Sequence, residues 1–142
     1  MKRARKALIT LTVVMMASGY AGGTDWRSIG SNKEVEILVD VQSIKDVPGA
    51  HEVVSATLYK QVQKAPGVPA FQATVARMSF KCLTAKGSLS SLDFYATRDL
   101  KGPTVAKYRY PEAWRPVDPT SDVGVVWKYV CTQTGKRQVD GL

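Results

Sequence analysis

Alternation of apolar and polar side chains dominates the chain from Trp26 to Tyr110. In "EVEILVDV" the residues Val35, Ile37, Val39 and Val41 fall on one side of an extended backbone, because successive side chains of a strand point to opposite faces. "HEVVSATLYKQV" sets Val54, Ala56 and Leu58 against Val53 and Tyr59. "AFQATVARMSFKC" sets Phe71, Ala73, Val75 and Arg77 against Thr74, Ala76, Met78, Phe80 and Cys82. "DWRSIGS", which carries Trp26, is a short first strand; "SLSSLDFYAT" and "TVAKYRY" complete the set, rich in β-branched and aromatic residues. Turn signals in "KDVPGA" and "KAPGVP" separate the runs. About six strands joined by short turns predict a single antiparallel sheet. Its apolar face has to be covered, and only the C-terminal segment is left to do so.

That segment, "DVGVVWKYVC" from Asp122 to Cys131, reads two ways. At period two, Val123, Val125, Trp127, Tyr129 and Cys131 share a strand face. At helical spacing, Val123, Trp127, Val130 and Cys131 share a face, with Val126 at its margin. Pro119, Thr120 or Ser121 as N-cap, and Asp122 in a first turn are the start chemistry of a helix. Four valines and Gly124 are poor helix formers. Propensity alone leaves helix and strand evenly matched.

The chain opens with Lys2, Arg3, Arg5 and Lys6, an apolar run from Ala7 to about Ala17, and small residues at Gly19 and Ala21. This is the pattern of a secretory signal peptide over residues 1–21, with cleavage expected after Ala21. The run is shorter than the roughly 20 residues that a spanning helix needs. No cysteine lies near the exit to accept a lipid, so the expected product is exported and soluble, periplasmic or extracellular, with no membrane span.

Export changes the meaning of the charge. The 142 residues carry 20 Lys+Arg and 12 Asp+Glu, a net +8, but four of the bases and none of the acids precede Gly22. The remainder holds 16 bases against 12 acids, a net +4 that is ordinary for a soluble surface. Nucleic acid is therefore not an expected partner. Residues 22–142 are long enough for one domain with one core.

Cys82 and Cys131 are the only cysteines, and an oxidising compartment favours a disulfide between them. Closing a loop of about 50 residues should stabilise the fold by about 4 kcal/mol in the chain-entropy model. A metal pair would need further ligands, and the single histidine, His51, is distant in sequence. Asp40, Asp46 and Asp93 read as turn formers rather than ligands of a hard cation, with Asp40 and Ser43 shaping the corner after the second strand. No G-x-S-x-G, H-E-x-x-H, P-loop or C-x-x-C occurs, so no catalytic residues, metal or cofactor are expected.

Several landmarks together resemble the surface-adhesin protein E family of exported proteins: "DWRSIGS", "ILVDVQSIKD", "MSFKC" and "WRPVDPTSDVGVVWKYVC", in that order from Asp25 to Cys131. The resemblance implies an α+β fold: an antiparallel sheet with one C-terminal helix, here roughly Ser121 to Thr132, tied to the sheet by the disulfide. Val123, Trp127 and Val130 would then face the sheet. The family's namesake is an outer-membrane lipoprotein that binds host extracellular proteins, so extracellular-matrix or envelope proteins are the partners it implies. This chain departs from it in having no cysteine for lipid attachment. The region "LTAKGSLSSLDFY" after Cys82 also holds no dense basic cluster.

The most suggestive polar stretch is "AKYRYPEAWRP". On a strand, Lys107 and Arg109 point one way and Tyr108 and Tyr110 the other. Either the tyrosines help to bury the helix while the bases are merely solvated, or Lys107, Arg109, Trp114 and Arg115 form an aromatic and basic surface for a protein or an acidic glycan. Three functions stay open: an adhesin-like protein-binding module, a periplasmic structural or small-ligand-binding protein, and, least supported, an enzyme.

Overall fold

The computed structural model describes residues 24–140, with side chains to Thr134. The leader expected over residues 1–21 lies outside the described residues. The elements are β1 (Trp26–Ser31), β2 (Val35–Asp40), a 3-10 turn (Val41–Ser43), β3 (Lys45–Val47), β4 (Ala50–Ala65), β5 (Val68–Lys81), β6 (Lys86–Tyr95), β7 (Thr104–Arg109), β8 (Arg115–Pro116) and α1 (Asp122–Asp140).

All strand pairs are antiparallel, in the order β1-β2-β4-β5-β6-β7. The six expected strands are these six. The remaining two are fragments that continue an interrupted neighbour: β3 runs on from β2 beside β4, and β8 runs on from β7 beside β6. The first interruption is the corner that Asp40 and Ser43 shape. The Asp40 carboxylate accepts the N–H groups of Asp25 and Gln42, while the Ser43 hydroxyl donates to the Asp40 carbonyl at 2.6 Å and accepts from the Val54 N–H. The second interruption contains Pro111, which has no N–H to give to a ladder.

The C-terminal segment is a helix. Ser121 is its N-cap, its hydroxyl accepting the Gly124 N–H at 3.0 Å. The helix runs eight residues beyond the expected end at Thr132, to Asp140, through good helix formers such as Lys136, Arg137 and Gln138. It packs on β1, β2, β4 and β5. The core holds Val35, Ile37, Val39, Val53, Met78 and Phe80 from the sheet with Val126 and Val130 from the helix.

The expected helix face needs correction. Val123 is 42% exposed, whereas Val126 and Val130 are buried. Positions 126 and 130, with the buried Thr134, form one i, i+4 stripe, and Trp127 packs at its side. The helix is rotated by what its first turn meets: Gly124 abuts the backbone of Asp118 and Pro119, which leaves Val123 on the outside. Cys82 at the end of β5 and Cys131 on the helix form the expected disulfide, with α-carbons 5.6 Å apart.

Candidate functional site

Sheet register decides where each candidate side chain lies, because residues opposite one another in a ladder share a face. Phe80, in the core under the helix, is opposite Gly87. Lys81, opposite Lys86, therefore faces away from the helix, and its ammonium sits 4.2 Å from the centre of the Trp114 ring. Lys107 is opposite Asp93 and Arg109 opposite Ser91, also on the face away from the helix. Arg115 is opposite Gly87 and turns the other way, to the helix side.

The four expected binding residues thus run along one sheet edge without meeting at one point. Lys107 and Arg109 stand at one end of β6, and Trp114 and Arg115 at the other, on the order of 15 Å away at about 3.3 Å per residue. Arg109 is neutralised locally by Asp93 at 2.8 Å and also donates to the Tyr108 carbonyl. Lys107 is exposed and forms no ion pair among the described residues. Trp114 is half-buried and outside the core, its indole N–H donating to Glu112. Lys81 and Lys86 escaped the sequence reading because they lie on two strands. The β5–β6 pairing brings the two lysines together and the pairing of β8 with β6 brings Trp114 beside them; the signal available was a Lys four residues after Cys82 in a hairpin-length connection.

Tyr108 and Tyr110 do not bury the helix. They are 38% and 41% exposed and end an aromatic row across the uncovered part of the sheet. Tyr59 meets Phe71 edge-on at 5.7 Å, Phe71 meets Phe94 at 4.7 Å, Phe94 meets Tyr108 at 5.7 Å, and Tyr108 stacks on Tyr110 at 6.4 Å. Between this row, the first turn of α1 and the 111–118 segment lies an open cleft of about 820 Å³. Its floor is made of small side chains, Ser55, Thr57, Thr74 and Ala76, too short to fill the gap left by the helix. Partial burial in this cleft raises the Tyr59 phenol above its ordinary value; a hydrogen bond with Thr74 opposes that shift and the Asp122 carboxylate adds to it.

His51 bonds Asp46 through Nδ1 at 2.6 Å, a cross-strand pair of β3 and β4. No serine or threonine hydroxyl hydrogen-bonds His51 among the described residues, and none of their His, Cys, Asp and Glu side chains cluster in threes as a metal site would need.

The fold, then, is a meander sheet with one helix stapled to it, and the family model for surface-adhesin protein E matches residues 26–132, from β1 to just past the second cysteine. The chain belongs to the surface-adhesin protein E family. Comparison with the curated proteins and with the solved structures gave no match. Membership makes this an adhesin-like surface protein and implies export. No helix among the described residues is long and apolar enough to cross a membrane.

Proposed function

We propose that residues 1–21 direct export and are removed, and that residues 22–142 act as a soluble binding domain in the periplasm or outside the cell. The domain takes hold of another macromolecule, an envelope or extracellular-matrix protein, and catalyses nothing. The observation that carries this reading is the sheet edge beside β6, where exposed Lys107 and Arg115 have no carboxylate partner among the described residues and Trp114 remains half-exposed. Unpaired rim cations speed encounter with an acidic partner, and an aromatic side chain supplies anchoring area. Membership of an adhesin family supports the same use.

The test is binding of the oxidised, exported protein to envelope and matrix proteins across a salt series. Saturable binding that weakens with salt, and weakens further in Lys107→Ala with Arg109→Ala, is the expected result. Binding indifferent to both substitutions and to salt would remove this edge from consideration.

The cleft favours a second reading, a small-ligand carrier. A volume of about 820 Å³ lies within the roughly 300–1,000 Å³ usual for ligand sites. Native mass spectrometry of protein purified without unfolding separates the two, since a carrier would retain a small molecule.

A further inference from the structure

The β5–β6 hairpin ends in Cys82-Leu83-Thr84-Ala85, and Leu83 at its tip is fully exposed, at 103% of its reference area. A lone exposed leucine is ordinary; this one has three unusual neighbours. Directly behind it, Lys81 and Lys86 face each other across the ladder, a like-charge pairing that disfavours the sheet. Beside them the Trp114 ring lies under the Lys81 ammonium, and Arg115 follows on the opposite face. Among the described residues, the one carboxylate bonded within this group is Glu112, on the Trp114 indole N–H. Three cations thus stand against one carboxylate among the described side chains of the hairpin end.

The tip is also held rigidly. Cys82, next to Leu83, is bonded to Cys131 of α1, and the Val117 N–H donates to the Ala85 carbonyl at 2.9 Å. Leucine is therefore presented outward by a braced loop, and the lysine pair is kept together despite its repulsion.

From this we infer that the β5–β6 hairpin tip docks reversibly on a bilayer surface bearing anionic headgroups. Leu83 lies in the turn two residues beyond Lys81, a reach of at most roughly 7 Å, comparable with the roughly 5–10 Å to which interfacial elements bury their apolar side. Lys81, Lys86 and Arg115 then lie at headgroup level, with their aliphatic stems against the interface and their charges on lipid phosphates. Trp114 occupies the depth at which indole rings concentrate. An apolar tip with a basic collar behind it matches a surface that is charged outside and apolar beneath. The proposal goes beyond macromolecular binding and involves residues, Leu83, Lys81 and Lys86, which that reading does not use.

The experiment is co-sedimentation of the exported protein, its N-terminus fixed by intact mass, with phosphatidylcholine vesicles containing or lacking phosphatidylglycerol. Binding to the anionic vesicles only, weakening with salt, is expected. Leu83→Ser should lower partitioning about tenfold, and Lys81→Ala with Lys86→Ala roughly thirtyfold. Lys107→Ala with Arg109→Ala should leave it unchanged, so loss of protein binding and loss of vesicle binding are read separately. All these side chains lie on the surface, and an intact disulfide with unchanged circular dichroism verifies the fold of each variant. Equal binding to both vesicle types, no binding to either, or a Leu83→Ser variant that partitions like the parent overturns the proposal. So does loss of binding to a soluble acidic protein in the lysine variant without any vesicle binding by the parent, which would assign these cations to the macromolecular site.

Discussion

Gly124 sits so close to the carbonyl of Asp118 that no methyl group fits between them. A β-carbon added to Gly124 would also lie 2.8 Å from the backbone of Pro119. Alanine is the better helix former by about 1 kcal/mol, yet Gly124→Ala is expected to destabilise the fold by about 1–2 kcal/mol, because the overpacking it forces is against backbone that cannot swing aside and so falls in the upper part of the roughly 1–3 kcal/mol range. The midpoint of urea unfolding checks this. A variant as stable as the parent would mean that the 118–124 turn yields easily.

The rotation of the helix gives a paired test. Val130 is completely buried and Val123 is 42% exposed. Val130→Ala should cost about 2–3 kcal/mol from lost burial and the cavity left behind. Val123→Ala should stay within about 0.5 kcal/mol. Equal losses at the two positions would restore the face expected from helical spacing.

Those two residues mark where the sequence stopped being legible. The strands could be read because one-sided burial writes a period of two into Val35, Ile37 and Val39. The helix could not be read from propensity, since its valines and Gly124 are chosen for tertiary contact with the sheet and the Asp118–Pro119 backbone. The family resemblance supplied it. β3 and β8, three and two residues long, exist only through pairing with β4 and β6 and have no period of their own. The candidate edge was half legible: Lys107 and Arg109 alternate with tyrosines along β7, but the approach of Lys81 to Trp114 depends on strands distant in sequence.

The disulfide ties the helix to the sheet across 49 residues of chain. Cys131→Ser should lower stability by about 4 kcal/mol in the chain-entropy model, with less loss if the reduced unfolded chain stays compact. Amide exchange should accelerate in Asp122–Asp140 before it does in β4 and β5. A uniform acceleration across sheet and helix would show that the two unfold as one unit.

Tyr59 provides a pH test. Burial holds its phenol protonated above the ordinary value of 10.0. A raised folded pKa means that the contribution is fully present below the unfolded value and is lost as pH climbs through the folded one. Stability should therefore fall more steeply at alkaline pH in the parent than in Tyr59→Phe. Subtracting the phenolate absorbance curves of the two should isolate a group that titrates above 10, and Asp122→Asn should lower its midpoint by removing a repelling carboxylate. A difference curve at or below the ordinary value would contradict the burial account.

Asp93 sets the charge of the candidate edge. Its carboxylate holds Arg109 at 2.8 Å, while Lys107, its neighbour across the ladder on the face away from the helix, forms no ion pair among the described residues. The pair is surface-exposed on the arginine side, and its net contribution to stability should be at most about 1 kcal/mol. Asp93→Asn should therefore leave the fold intact while releasing the full charge of Arg109. If the edge meets an acidic partner, association should speed up and its salt dependence steepen, with dissociation little changed, because rim charges act mainly on encounter. Lys107→Ala should do the reverse in the same assay. Opposite shifts in association rate from these two substitutions would identify the edge as the surface the partner meets. Rates unmoved by both would place the partner elsewhere on the domain, and the cleft beside Tyr59 would become the surface to mutate next.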